Sequence, residues 1–143
     1  MTNTRIFKLD GYEKTPLPIL ARIYKSVPGV GKVAIQQADL TGITRTVRRF
    51  GTVAGQFGNV TQPETCTALV IPSSIFNTLQ TDNSWWKDGI GYNFADTIPA
   101  ASFPGLGAYS IVYTFTPSGP SFSIFPFVVR ANMVSLQGTL VEG

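Results

Sequence analysis

The chain has 143 residues, the size of one domain that can bury a core of its own. Apolar and aromatic residues make up 43% of it and charged residues only 13%, which excludes a disordered, highly charged protein. The net charge of +3 is uneven, with nine Lys or Arg against three acids in residues 1–50, but its scatter along strand-like segments does not favour a nucleic-acid-binding protein.

The first predicted strand lies in the segment PLPILARIYK, residues 16–25. Its apolar residues recur at every second position, which is the period of a strand: Leu17, Ile19, Ala21 and Ile23. Pro16 and Pro18 cannot donate to a ladder, so this end is expected at a sheet edge. The segment KVAIQQ repeats the alternation with Val33 and Ile35 inward.

The segment ITRTVRRF, residues 43–50, is β-branched and predicts another strand. Neither of its two faces is cleanly apolar, so its register stays open. It also holds the densest positive charge of the chain, at Arg45, Arg48 and Arg49. These arginines are candidates for contact with a phosphate or an acidic partner, and a solvated strand face is the alternative.

Residues 51–64 are rich in glycine and predict a loop or an irregular hairpin. The segment CTALVIP then predicts a buried strand closed by Pro72, with Cys66 as a buried, unreactive thiol. In the following segment, SSIFNTLQTD, a helical turn capped by Ser73 or Ser74 and a strand with a turn are both open.

Residues 81–107 predict a long loop, and its aromatic residues indicate that it is ordered. The segment WWKDGIGYNF supplies the candidate interface residues Trp85, Trp86, Tyr92 and Phe94. A loop fixed to its own core, a protein interface and a sugar-stacking platform are the three interpretations. The nearby acids are predicted to cap turns rather than to bind calcium: Asp82, Asp88 and Asp96.

The segment from Tyr109 to Arg130 predicts a hairpin broken at Pro-Ser-Gly-Pro. One face of its first strand is predicted to be core: Tyr109, Ile111, Tyr113 and Phe115. The apolar parity changes afterwards, which indicates a bulge near residues 124–126, and a last strand is expected within residues 133–140. Seven or eight strands without a long helix predict an all-β, antiparallel, immunoglobulin-like β-sandwich in a single domain, with extended arms at 1–15 and 131–143.

The residues carry no recognisable catalytic set. Histidine, the commonest general base and metal ligand, is absent, and a single cysteine allows no internal disulfide. No G-x-S-x-G motif occurs, and the eight Asp and Glu do not single out a catalytic pair. We therefore expect a protein that is not an enzyme and that uses no cofactor, metal or small-molecule substrate.

Two segments resemble small immunoglobulin-like modules of tailed-phage virion proteins, such as the N-terminal domain of baseplate upper proteins. ADLTGITRTVRRF is similar to the strand that these modules open with DLTG, and GLGAYSIVYTFTPSGPSFSIFPFVVR is similar to their terminal hairpin. The resemblance extends over residues 16–130. The insertion DNSWWKDGIGYNF departs from the pattern, which leaves the position within a virion open.

The resemblance implies a structural virion protein: a capsid decoration, a connector or a tail or baseplate component. Its partners would be further copies of itself and other virion proteins, and no catalytic residue carries over. The N-terminal residues lack the apolar segment of a signal peptide, so we expect synthesis in the host cytoplasm and no membrane partner. The alternative is a carbohydrate-binding or host-recognition module that uses Trp85, Trp86 and Tyr92.

Overall fold

The computed structural model describes residues 5–50, 65–85, 87–105, 107–124 and 127–134. Within these ranges the protein is all-β, and two single-turn 3₁₀ helices lie at Gln37–Asp39 and Ala100–Ser102. The other elements, in chain order, are β1 (Arg5–Tyr12), β2 (Leu17–Ala21), β3 (Tyr24–Val27), β4 (Gly31–Ala34), β5 (Leu40–Phe50), β6 (Thr65–Ala68), α1 (Ile71–Ser74), β7 (Ile75–Gln80), β8 (Tyr92–Ile98), β9 (Gly107–Pro117), β10 (Ser123–Ile124) and β11 (Phe127–Val134).

The strands form one five-stranded and two three-stranded sheets. The five-stranded sheet has the order β1-β11-β9-β5-β6, and the smaller sheets have the orders β2-β8-β7 and β10-β3-β4. The core lies between the five-stranded sheet and the sheet that contains β8. Phe94 of β8 packs edge-to-face on Tyr113 of β9 and Phe127 of β11, with ring centroids 5.0 and 5.7 Å apart.

Where apolar residues occupy every second position of the sequence, their side chains are buried in the structure. The four residues Tyr109, Ile111, Tyr113 and Phe115 are buried on β9, as predicted. The four alternate residues from Leu17 to Ile23 are buried as well. β2 is an edge strand of its sheet, as its prolines predicted.

The chain leaves one small sheet for the other directly after β2. The buried side chain of Asn93 holds this junction, because its Oδ1 accepts the Ile23 N–H at 2.7 Å and its Nδ2 donates to the Ile23 carbonyl at 3.0 Å. A further bond, from Asn93 Nδ2 to the Ile35 carbonyl at 3.4 Å, ties in the segment after β4. The Ile23 carbonyl also accepts the Ile35 N–H at 3.1 Å, so the buried amide is needed above all to pair the Ile23 N–H at this break between sheets.

The prediction of one long loop over residues 81–107 is wrong, because β8 occupies its middle. The segment YNFADTI does not show the alternation of a strand with one buried face, because the polar residues Asn93 and Asp96 are buried and half-buried, respectively. Both are paired with groups far away in sequence, so local alternation could not reveal the strand.

The prediction that Cys66 is buried is also wrong. β6 is a short edge strand, and the Cys66 thiol is exposed on the outer face of the five-stranded sheet. Residues 75–80 form a strand, β7, rather than the helical alternative, and the helical turn lies just before it.

The predicted N-terminal arm is in large part a strand of the domain. β1 lies within residues 1–15 and pairs with β11 in parallel, which departs from the purely antiparallel arrangement predicted. Residues 131–134 belong to β11, whereas residues 135–143, and with them most of the predicted last strand, lie outside the described residues.

The change of apolar parity after Pro120 marks a change of sheet. β10 pairs with β3, whereas β11 pairs with β9. The chain therefore crosses between two sheets from Ile124 to Phe127. Part of the predicted bulge, residues 125 and 126, lies outside the described residues.

Candidate functional site

Asp88 organises the segment that joins β7 to β8, residues 81–91, which we call the aromatic loop. Arg22 holds its carboxylate in a two-pronged ion pair, with Nη1 donating to Oδ1 at 3.1 Å and Nη2 to Oδ2 at 3.0 Å. Trp85 Nε1 donates to the same Oδ1 at 3.0 Å, and the backbone N–H groups of Ile90 and Gly91 donate to it at 3.0 and 3.2 Å. One carboxylate thus orients the indole and caps the turn, as predicted for this acid.

Asp82 fixes the other end of the aromatic loop. Its Oδ1 accepts the Ser84 N–H at 3.0 Å, and its Oδ2 accepts the Tyr92 hydroxyl at 2.7 Å. Gly91 returns the chain to β8 with a φ of 107°, and a Cβ at this position would lie 2.5 Å from the Gln80 carbonyl oxygen. Only glycine meets both requirements without strain.

These contacts shift the pKa values of two groups. Hydrogen bonds from Arg22 and then Trp85 hold the pKa of the Asp88 carboxyl well below its usual range. The hydrogen bond to Asp82, together with burial, raises the pKa of the Tyr92 hydroxyl. Asp88 is therefore a stable anion of the loop and Tyr92 a neutral donor.

The structure separates the four candidate interface residues. Phe94 is 0% exposed and lies at the centre of the core, so its assignment to an interface is wrong. Tyr92 is also buried, between Phe76 and Trp85, with centroid distances of 5.7 and 5.6 Å. Trp85 is partly exposed, and Trp86 lies outside the described residues.

A cleft of about 500 Å³ opens beside Trp85, between β1 and β2. Apolar side chains such as Ile19 and Val129 line it, and Ser84 and Thr97 add hydroxyl groups. Lys87 Nζ stands near its aromatic walls, 5.3 Å from the Phe7 ring centre and 5.7 Å from that of Trp85. Its volume is within the range of small-ligand sites.

The three candidate basic residues also lie in different environments. Arg45 is 4% exposed and points into the core, where its Nη1 donates to both carboxylate oxygens of Asp96 at 2.8 Å. The prediction that Arg45 contacts a phosphate or an acidic partner at the surface is therefore wrong. Arg48 is exposed on the outer face of the five-stranded sheet, and the Arg49 guanidinium lies 5.8 Å from the Tyr109 ring.

Tyr113 completes a buried polar cluster with the ion pair of Arg45 and Asp96. Its hydroxyl donates to Asp96 Oδ2 at 2.6 Å. Burial, reinforced by the charge of Asp96, raises the pKa of Tyr113 above its usual value. Arg45 Nε is buried without a hydrogen-bond partner among the described residues, so the cluster is incompletely paired. The cluster joins β5 and β9 to β8.

Strand register creates a basic row that the sequence did not reveal. Lys8 lies beside Arg130, Arg130 beside Ser110, and Ser110 beside Arg48, all on the outer face of the five-stranded sheet. These residues are up to 122 positions apart along the chain, from Lys8 to Arg130. Only the pairing of β1, β11, β9 and β5 brings them together.

Two uncharged rows adjoin the basic row on the same face. They contain only small or β-branched side chains: Val128, Val112, Thr46 and Cys66 in the first, and Thr114, Thr44 and Ala68 in the second. Val112 at the centre is 37% exposed. Charged residues are depleted at the centre of protein interfaces, and these rows share that property.

The described residues contain no group of three or more acidic or cysteine side chains placed to hold a metal ion, and no helix among them could span a bilayer. No protein-family model, curated protein or solved structure matches this chain.

Proposed function

We propose that this chain is a non-enzymatic structural component of a tailed-phage virion, built as an immunoglobulin-like β-sandwich. As a capsid decoration, connector or tail or baseplate component, it would assemble with further copies of itself or with other virion proteins. The proposal joins the sequence resemblance at residues 38–50 and 105–130 to features of the fold and of its exposed sheet.

The order of the strands supports the immunoglobulin-like arrangement. In that fold, strands B, E and D are neighbours in one sheet, and G, F, C and C′ are neighbours in the other. β2, β8 and β7 have the first order, and β11, β9, β5 and β6 have the second. The sequence of these strands along the chain also agrees with B, C, C′, D, E, F and G.

Tyr109 adds a specific local feature. Immunoglobulin-like domains have a tyrosine near the start of strand F whose hydroxyl bonds to backbone a few residues upstream. Tyr109 lies at the start of β9, and its hydroxyl donates to the Gly105 carbonyl at 2.8 Å. Antibody domains have a cysteine two residues later, where this chain has the buried Ile111, so packing replaces the disulfide here.

The uncharged rows are the observation that carries the assembly role. Across β11, β9, β5 and β6, seven neighbouring side chains present no charge to solvent. Removing water from an uncharged surface costs less free energy than removing it from a charged one, so another protein can cover these rows. The basic row beside it would orient an acidic partner.

Mass photometry and negative-stain microscopy test the assembly role. The purified chain, alone and mixed with candidate virion partners, should form complexes of defined stoichiometry. Val112→Lys should weaken them about tenfold by placing a charge in the uncharged rows. Ala108→Lys, on the same face of β9 but beyond the basic row, is the matched control. A strict monomer under all conditions would contradict the role.

The cleft beside Trp85 favours a second function, carbohydrate or host-receptor recognition. Trp85 offers a partly exposed indole plane, and hydroxyl groups of Ser84 and Thr97 lie within the same cleft. Glycan-array binding that is lost in Trp85→Ala but kept in Ile90→Ala would support this function. Ile90 is exposed in the same loop and does not line the cleft, so its truncation leaves the indole and its anchor Asp88 in place.

A further inference from the structure

The outer edge of β1 is the longest sheet edge in the described part of the chain. β1 has eight residues and pairs on one side only, with β11. The edge strand β2 is shorter and carries Pro18, a residue that blocks strand pairing, whereas β1 contains no proline. β1 thus keeps the capacity to accept another strand.

The direction of the backbone N–H and C=O groups along β1 shows which residues can pair with another strand at the open edge. Glu13, directly after the strand, donates its N–H to the Val134 carbonyl of the neighbouring β11 at 2.9 Å. Amide direction alternates along a strand, so the odd-numbered residues bond to β11. Lys8 and Asp10 therefore turn their N–H and C=O groups toward the open edge.

We propose that a second copy of this chain pairs with β1 in an antiparallel, two-fold symmetric manner, with Leu9 opposite Leu9 of the second copy. The sequence RIFKLDGYE is self-complementary about Leu9. Lys8 then lies opposite Asp10 of the second copy and Asp10 opposite Lys8, so two ion pairs form by symmetry. The register also places residue 5, an arginine, opposite residue 13, a glutamate.

The neighbouring registers are less favourable. A shift of one residue pairs outward-facing amides with amides already bonded to β11, which antiparallel pairing does not allow. A shift of two residues places Lys8 opposite its own copy in one direction and Asp10 opposite its own copy in the other. Like charges directly opposite each other destabilise a strand pair, so the register about Leu9 is selected.

The inward face of β1 is complementary in the same register. Leu9 is 36% exposed at the open edge and would meet its symmetry copy. Phe7 would lie opposite Gly11 of the second copy, where the absence of a side chain avoids a clash between the two copies. The dimer would extend the five-stranded sheet to about ten strands, which is within the size of natural sheets.

This inference rests on the proposed assembly role and names one partner and one contact for it. Sedimentation equilibrium of charge-reversal variants tests the β1 contact. Lys8→Asp and Asp10→Lys should each weaken self-association about tenfold or more, because each creates two repulsive pairs. Mixing the two single variants should restore dimers, since both pairs are then attractive, and the double variant Lys8→Asp/Asp10→Lys should dimerise by itself.

A cysteine at the symmetry axis tests the register directly. In a Cys66→Ser background, Leu9→Cys should form a disulfide between copies, because residues in a non-hydrogen-bonded pair are about 4.5 Å apart at Cα. Phe7→Cys is the matched control on the same face, since position 7 faces position 11 and should not cross-link to itself. Circular dichroism should be unchanged for every variant.

The outcomes separate this inference from the proposed function. A wild-type chain that stays monomeric alone, or single charge variants that associate as strongly as wild type, overturns the β1 contact. In either case, assembly with other virion proteins would leave the proposed function standing. Restoration of dimers in the mixture, with cross-linking at position 9 only, supports the contact.

Discussion

Arg45 on the five-stranded sheet donates from one nitrogen, Nη1, to both carboxylate oxygens of Asp96 on the facing sheet, each at 2.8 Å. Both side chains are almost fully buried. Burying a charge is costly unless it is paired, so the two sheets must stay in register for either residue to be tolerated. The ion pair makes the relative position of β5 and β8 specific.

Removal of the acid from this pair should be strongly destabilising. Asp96→Ala leaves the guanidinium of Arg45 buried without a counter-charge, and we expect a loss of about 3–5 kcal/mol in the free energy of unfolding. The triple variant Arg45→Met/Asp96→Leu/Tyr113→Phe, which removes every polar member of the cluster, should recover most of it. Urea denaturation measures both, with Thr97→Ala, exposed on the same strand, as the control. A loss no larger than that control would contradict the prediction.

Asn93 should be as sensitive as a core residue despite its polarity. Asn93→Ala leaves the Ile23 N–H buried without a partner, at a cost of about 1–3 kcal/mol, whereas the Ile23 carbonyl keeps its bond from the Ile35 N–H at 3.1 Å. Asn132→Ala, exposed on β11, is the matched control and should change stability little. Equal midpoints in chemical denaturation would show that the junction after β2 does not depend on this amide.

Gly91→Ala should distort the return of the aromatic loop into β8. Its positive φ and the approach of a Cβ to the Gln80 carbonyl should together cost about 1–3 kcal/mol or more. Gly89→Ala, in the same loop, has no atom within 4 Å of the added Cβ and should be nearly neutral. Thermal denaturation of the two variants gives the comparison, and similar melting temperatures would refute it.

Acid should loosen the aromatic loop through Asp88. The folded-state pKa of this carboxyl lies below its ordinary value of 3.8, so the folded protein binds fewer protons there than the unfolded chain. The stabilisation is therefore complete above that value and is lost as pH falls below it. Melting temperatures from about pH 6 to about pH 2.5 should fall more for wild type than for Asp88→Asn. If the melting temperatures of the two proteins fell equally with pH, the Asp88 carboxylate would contribute nothing to stability.

Cys66 should react with thiol reagents in the native protein. Its side chain is exposed on an edge strand, so an aromatic disulfide reagent should modify about one thiol per chain without denaturant. Cys66→Ser provides the blank. Reaction that begins only at the unfolding transition would indicate a covered thiol.

The sequence predicted those elements whose burial follows from strict alternation. β9 and β2 are of this kind, because a strand with one buried face must place every second side chain in the core. Alternation does not predict a strand in which polar residues take buried positions. β8 lacks a strand signature because Asn93 and Asp96 interrupt its apolar pattern, and both pair with residues far away in the sequence.

The candidate site was predicted only in outline. The sequence predicted candidate interface residues in the aromatic loop, and Trp85 of this loop borders a cleft. It could not show that Phe94 is core or that Arg45 is buried, because those outcomes depend on which distant residue lies opposite. The basic row of Lys8, Arg130 and Arg48 has no signature along the chain.

By itself, the sequence determined the all-β class, the inward faces of its regular strands and the self-complementary order of charges in β1, because each is a property of neighbouring residues. The tertiary structure decided where the polar residues find partners, which strand forms the open edge and which side chains share the outer face. Pairing register between segments far apart in the chain fixes these features, and no local pattern encodes that register.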